Sequence, residues 1–238
     1  SNTSTGGVLF LPSANNLLPI FLQVITNISP ATDFDGIGGN NDLAIMEQNL
    51  GIVYLLYNIT TDGAEQIVPI VIGDMFTDSF LRPTSLTTFF DPNIGLNNIA
   101  ITVIARNDND TSAGQLIVLL NDGAGNFGND LLFRQFVATT GPTNIMSADF
   151  NQDGASDLVY IDYASSLAVT AMNDGTNLFL DLKFRETGGF IPVSAQLSDV
   201  NDDDIPDLMV VNQGNVSVGN QSLVSVLIGK IDGSFTLT

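Results

Sequence analysis

Residues 149–158 read Asp149-Phe150-Asn151-Gln152-Asp153-Gly154-Ala155-Ser156-Asp157-Leu158, and Val159-Tyr160 follow at once. Oxygen-bearing side chains stand at positions 1, 3, 5 and 9 of this loop, and the glycine at position 6 permits the sharp turn that gathers them. Such a loop can wrap a hard cation with side-chain oxygens from Asp149, Asn151, Asp153 and Asp157 and the carbonyl of Ala155. The spacing begins like an EF-hand but closes with Asp at position 9 instead of Glu at 12, and a β-type apolar run follows instead of a helix. The alternative is an acidic surface turn holding no ion. Against it, three carboxylates in nine residues repel one another unless a cation sits between them.

A second copy lies fifty residues on. Asp199-Val200-Asn201-Asp202-Asp203-Asp204-Ile205-Pro206-Asp207 runs into Leu208-Met209-Val210 and keeps the same oxygen spacing, with Asp199, Asn201, Asp203, Asp207 and the Ile205 carbonyl as donors. Asp204 replaces the glycine, which is tolerable because Asp enters the left-handed region more easily than most residues.

These two loops resemble the FG-GAP (VCBS-type) repeat, the blade unit of integrin-α-like β-propellers. The family pattern D-x-N/D-x-D-G-x-x-D-L matches residues 149–158 throughout and residues 199–208 with one substitution. The resemblance implies Ca²⁺ in each intact loop, an extracellular setting and a propeller fold. Propellers of that family have more repeats than this chain offers.

Two further loops belong to the series. Asp33-Phe34-Asp35-Gly36-Ile37-Gly38-Gly39-Asn40-Asn41-Asp42 closes one residue later, and its glycines absorb the extra residue, so Asp33, Asp35 and Asp42 are a third set of candidate ligands. Asp91-Pro92-Asn93-Ile94-Gly95-Leu96-Asn97-Asn98 keeps one carboxylate and reads as a turn without a metal. The loops start at Asp33, Asp91, Asp149 and Asp199, a period of 50–58 residues. Inside each period an apolar run ends at Asp-Gly: Leu116–Leu120 before Asn121-Asp122-Gly123, Leu167–Met172 before Asn173-Asp174-Gly175, Leu223–Ile228 before Asp232-Gly233, and Ile52–Tyr57 before Asp62-Gly63. Aromatics follow at Phe127, Phe179 and Phe235. Asn/Asp-Gly between β-rich segments is the strongest short hairpin signal.

Each unit thus holds four strands, in the third Asn144–Asp149, Leu158–Tyr163, Leu167–Met172 and Leu178–Phe184. The expectation is an all-β, β-propeller-like single domain over residues 1–238, with about four four-stranded blades carrying Ca-binding loops and almost no helix. The units fall near 31–88, 89–142, 143–192 and 193–238, after a lead of residues 1–30. That lead contains strands at Val8–Phe10 and Leu17–Ile25, which would complete the last blade or pair with a neighbouring subunit, the latter giving self-association and filaments.

Composition narrows the function. Net charge is −20, and the 26 acidic residues are nearly all Asp, which suits turns and cation loops where Glu would suit helices. So acidic a chain repels nucleic acid and anionic membranes. The longest apolar run, Leu17–Thr26, is too short to insert in a membrane. Cysteine is absent, and the chain starts Ser1-Asn2-Thr3 without methionine, as a processed or trimmed terminus would. Millimolar calcium outside cells makes an extracellular or cell-surface setting the natural one. Asn-x-Ser/Thr sequons at Asn2, Asn27, Asn58, Asn109, Asn215 and Asn220 are glycosylation candidates.

With no His and no Cys the usual general bases and nucleophile pairs are missing. Abundant Asp leaves paired carboxylates for glycoside hydrolysis open, but calcium already accounts for the clusters. The chain reads as no enzyme but as a calcium-binding structural or adhesion module, in which protein or a cell-surface glycan is the partner. Carbohydrate binding, or a non-catalytic place beside a glycan-active enzyme, is the competing reading. Absent Trp and only four Tyr leave it few stacking platforms.

Overall fold

Residues Asp157–Asp162 are buried along their whole length, because the sheet they centre is covered on both faces. Leu158 and Tyr160 join one apolar core, and Val159 and Ile161 join the next. This is the period-two alternation of a strand, with both halves apolar. The computed structural model describes residues 25–37, 39, 41–60, 64–72, 81–105, 114–127, 132–136, 139–215, 219 and 221–238. None of these is helical.

Sixteen strands make four antiparallel sheets of four consecutive strands each. The first blade holds β1 (Ile25–Ile28), β2 (Leu43–Glu47), β3 (Ile52–Tyr57) and β4 (Gln66–Val71). The second holds β5 (Leu81–Asp91), β6 (Leu96–Ala105), β7 (Gln115–Leu119) and β8 (Leu132–Phe136). The third holds β9 (Pro142–Ala148), β10 (Asp157–Asp162), β11 (Leu167–Met172) and β12 (Asp181–Glu186). The fourth holds β13 (Pro192–Ser198), β14 (Asp207–Asn212), β15 (Leu223–Gly229) and β16 (Phe235–Leu237). First strands pack on first strands, β1 on β5, β5 on β9 and β9 on β13, as inner strands of successive propeller blades do.

One apolar core lies between the first and second blades, a second between the second and third, and a third between the third and fourth. Each is locked by an edge-to-face aromatic pair that joins the end of an inner strand, or the loop after it, to the turn or first residue leading into the outer strand of the following blade. Phe34 meets Phe127 at 5.4 Å and 87°, Phe89 meets Phe179 at 5.4 Å and 86°, and Phe150 meets Phe235 at 5.6 Å and 89°. T-shaped contacts of this kind are the favoured aromatic geometry.

Two expectations change. The last blade takes its outer strand from its own chain end, where β16 pairs with β15 through Leu227↔Leu237 and Gly229↔Phe235. Ile25–Ile28 is the inner strand of the first blade, paired with β2. The expected strands upstream of Ile25 lie outside the described residues. Each blade also begins with the strand before its loop. The first two blades, Ile25–Val71 and Leu81–Phe136, therefore start earlier than units drawn at 31 and 89.

Candidate functional site

Every loop runs from the inner strand of a blade to its second strand, and in the first, third and fourth blades its closing residue is the first of the second strand or stands just before it. In three blades that residue is a fully buried Asp whose two oxygens tie the loop to the far side of the sheet. Asp157 Oδ2 accepts the Phe150 N–H (3.0 Å) and Oδ1 accepts the Asn173 N–H beyond β11 (2.7 Å). Asp207 does the same with Val200 (2.9 Å) and Gly229 (2.8 Å), and Asp42 with Phe34 (2.7 Å) and Asn58 (2.7 Å). The position-2 residue held in this way is Phe34 or Phe150, whose ring anchors the next blade. Loop order and blade stacking are therefore mechanically linked.

Loops 149–157 and 199–207 repeat one hydrogen-bond network atom for atom. Asp149 Oδ1 accepts from Asp153 N (3.1 Å) and Oδ2 from Gly154 N (2.8 Å); Asp199 accepts from Asp203 N (3.2 Å) and Asp204 N (2.9 Å). Asp153 Oδ1 accepts from Ala155 N and Oδ2 from Asn151 Nδ2, both at 2.8 Å, and Asp203 bonds Ile205 and Asn201 likewise. Gly154 (φ 88°) and Asp204 (φ 64°) are both left-handed, as the substitution requires, and so are Gln152 and Asp202 two residues earlier. Each carboxylate oxygen has a further lone pair to offer after accepting one N–H.

The first loop brings its carboxylates together most closely. One oxygen each from Asp33, Asp35 and Asp42 lies within 4.8 Å of the others, the only such acidic trio among the described residues. Calcium–oxygen bonds of ~2.4 Å place two ligands of one ion at most about 5 Å apart, so the trio fits a single calcium. Asn41, next to Asp42 in sequence, has a buried side-chain oxygen with no hydrogen-bond partner. The offset closing residue is absorbed by left-handed Gly36 and Gly39. The all-oxygen donor set suits a hard cation.

Burial, opposed by the Asn173 and Phe150 N–H groups, pushes the Asp157 carboxyl up to about 6, and the negative charges of Asp153 and Asp149 add to the rise. Burial likewise raises Asp42, with Asp35 and Asp33 contributing. The N–H of Asp204, with those of its neighbours, holds exposed Asp199 below the usual carboxylate range.

The second blade departs from this pattern. Asp91 is buried and takes the amides of Asn98 (3.3 Å) and Asn177 (2.6 Å) on one oxygen, while the other accepts the Asn93 N–H (2.9 Å). Its carboxylate partners among the described residues are all N–H groups.

Asn121 and Asn173, just beyond the third strands, were not among the expected site residues, and Asn58, at the same place in the first blade, was expected only as a sequon. Asn121 Oδ1 accepts from Gly123 and Gly125 and its Nδ2 reaches the Phe34 carbonyl at 2.7 Å; Asn173 Oδ1 accepts from Gly175 and Asn177. The recurring Asn-Asp-Gly signals the hairpin but not this second duty. Among the sequons, Asn27 lies on β1, Asn215 follows β14, and the Asn58 amide donates to Asp35 Oδ2 (3.2 Å), so its nitrogen is engaged within the first loop. Asn2, Asn109 and Asn220 lie outside the described residues.

Fold and loops together define the class, an all-β repeat protein of propeller-like blades. No protein-family model and no curated protein matches the chain. Solved structures do. The luciferin-regenerating enzyme shares 12% identity at a TM-score of 0.49, over 85% of this chain and 59% of that one. The PQQ-bound aldose sugar dehydrogenase of Streptomyces coelicolor shares 12% at 0.45, over 87% and 59%. A protein of unknown function from Bacteroides caccae shares 13% at 0.34, over 90% and 80%. The chain spans 59% of the length of the first two, and identities this low speak to fold alone. Two of these proteins are enzymes by name, so the expectation of no enzymatic role, drawn from the missing His and Cys, is withdrawn.

Proposed function

We propose that this chain is a calcium-stabilised, propeller-like module of the FG-GAP/VCBS kind with an extracellular structural or adhesive role. The observation that carries the reading is the trio Asp33, Asp35 and Asp42, whose oxygens lie within 4.8 Å of one another. Two further loops with the 1-3-5-9 donor spacing support it. In those, Asp149, Asn151, Asp153, Asp157 and the Ala155 carbonyl hold one ion, and Asp199, Asn201, Asp203, Asp207 and the Ile205 carbonyl another. The ion neutralises mutual repulsion and stiffens the strut that fixes Phe34 or Phe150 against the next blade. Calorimetric titration of chelator-treated protein with Ca²⁺ tests this. Saturable binding with a raised melting temperature supports it, and no heat at millimolar Ca²⁺ removes it.

Carbohydrate binding is the second reading, and one observation favours it. A groove of about 420 Å³ beside loop 149–157 combines Asn151, Asp153, Asp174 and Asp232 with apolar Leu180 and Ile231. A glycan array separates the two readings.

A further inference from the structure

One groove recurs at two blade junctions and differs between them in size and charge. Between the first and second blades it measures about 220 Å³ and is lined by Asp35, Tyr57, Gln66, Val68 and Ala124 among others. Between the third and fourth it measures about 420 Å³. The register Leu43↔Leu56 in the first blade corresponds to Leu158↔Ala171 in the third. Gln66, opposite Tyr57, therefore corresponds to Asp181, opposite Met172, and Val68 corresponds to Lys183. Across the junction, Asn121–Phe127 and Gly229–Phe235 have one length. Their first N–H binds the closing residue of the same blade and their last ring meets the loop of the preceding one, so Ala124 corresponds to Asp232.

Each replacement changes what the groove can hold. Tyr57 reaches across the first junction and donates to the Gly125 carbonyl. Met172, in its place, has no donor with which to span the third. Asp35 is the only carboxylate lining the smaller groove. Four line the larger one, Asp153, Asp174, Asp181 and Asp232, against the single ammonium of Lys183, which lies 2.9 Å from Asp181. The hydroxyls of Thr176 and Ser234 hold Asp174 and Asp232 below the usual carboxylate range, so both stay ionised. Apolar walls come from both blades, Leu180 (69% exposed) from the third and Ile231 (58%) from the fourth.

We propose that the groove between the third and fourth blades binds a peptide segment of a partner protein in which a basic side chain is flanked by apolar ones. The carboxylates select the charge, and Leu180 and Ile231 take the flanking side chains. The volume lies within the ~300–1,000 Å³ of ligand pockets. With 6 basic residues against 26 acidic ones the chain itself is a poor source of such a segment, so the occupant is foreign. This reading goes beyond the calcium proposal and competes with a sugar for the same groove.

Isothermal titration of the intact chain with blocked leucyl-arginyl-leucine amide, in calcium and again in chelator, tests it. The expected result is saturable binding in both buffers that weakens as NaCl rises. Peptides with glutamine in place of arginine, or glycine in place of both leucines, should bind about tenfold more weakly. Asp181→Asn combined with Asp232→Asn, both at exposed positions, keeps the thermal melt and weakens binding by about tenfold. Asp122→Asn, which removes an exposed charge outside the groove, leaves binding unchanged. Absence of binding, equal binding of all three peptides, or binding that the paired variant leaves intact overturns the proposal. So does a neutral oligosaccharide that saturates the protein while the arginine peptide does not.

Discussion

Asn98 in the second blade occupies the register position of Asp157 in the third, and the two residues make the same first bond and opposite second bonds. Asn98 Oδ1 accepts the Asn121 N–H (2.8 Å) as Asp157 Oδ1 accepts that of Asn173 (2.7 Å). The second arm of Asn98 donates to Asp91 Oδ2 (3.3 Å), whereas the second arm of Asp157 accepts the Phe150 N–H (3.0 Å). Asp157→Asn therefore sets an amide NH₂ against a backbone N–H in a buried site. Urea unfolding should show a loss of ~1–3 kcal/mol, the penalty of an unsatisfied buried donor. Asn98→Asp sets a carboxylate against Asp91 and should destabilise at pH 7, with recovery on acidification. An unchanged midpoint for both would refute the strut.

The aromatic pairs predict where blades come apart. Phe150 is fully buried and holds Phe235, so Phe150→Ala should cost about 3–5 kcal/mol and free the fourth blade first. Val200→Ala, at the equivalent but exposed position, should stay within about 0.5 kcal/mol. Hydrogen exchange of β14 and β15 amides would report the selective loss in the first variant.

Two glycines separate backbone conformation from close approach. Gly154 (φ 88°) has nothing within 4 Å of an added Cβ, so Gly154→Asp, which copies Asp204, should cost about 1 kcal/mol from φ alone. Gly125 (φ 81°) would place its Cβ 2.8 Å from that of Asp35, pressing the second blade's turn into the first loop. Gly125→Ala should therefore destabilise more than Gly154→Ala, and it should also weaken Ca²⁺ titration of the first loop. Equal costs would count against the contact.

The strand repeat, the oxygen spacing and the left-handed Asp204 were legible because each is a local pattern. The partners that give the loops their rigidity were not. Asp157 at the start of β10 meets Asn173 just past the end of neighbouring β11, and Phe150 meets Phe235 between blades, and neither pairing follows from the repeat period. Perfect spacing also misleads about convergence. The offset first loop brings its three carboxylates closest, because chain geometry at Gly36 and Gly39, not sequence register, decides where oxygens meet. The outer strand of the last blade is equally hard to read, because it is only the three residues Phe235–Leu237.

The closing Asp gives a pH test in which calcium reverses the sign. Without metal, the folded carboxyl of Asp157 sits at about 6. The unfolded value is about 4. The folded state then binds more protons between these values, so this group's contribution to stability is full below the unfolded value and is lost as pH rises through the folded one. In chelator, the melting temperature should therefore rise on going from pH 7 towards 5, and Asp42, also raised by burial, should act in the same direction. With saturating Ca²⁺ the ion favours the ionised carboxylate and protons compete with it, so the same acidification should lower the melting temperature. Two pH series of thermal melts, one in chelator and one in calcium, decide the matter: parallel curves would mean that no ion engages these buried aspartates, and crossing curves would mean that one does.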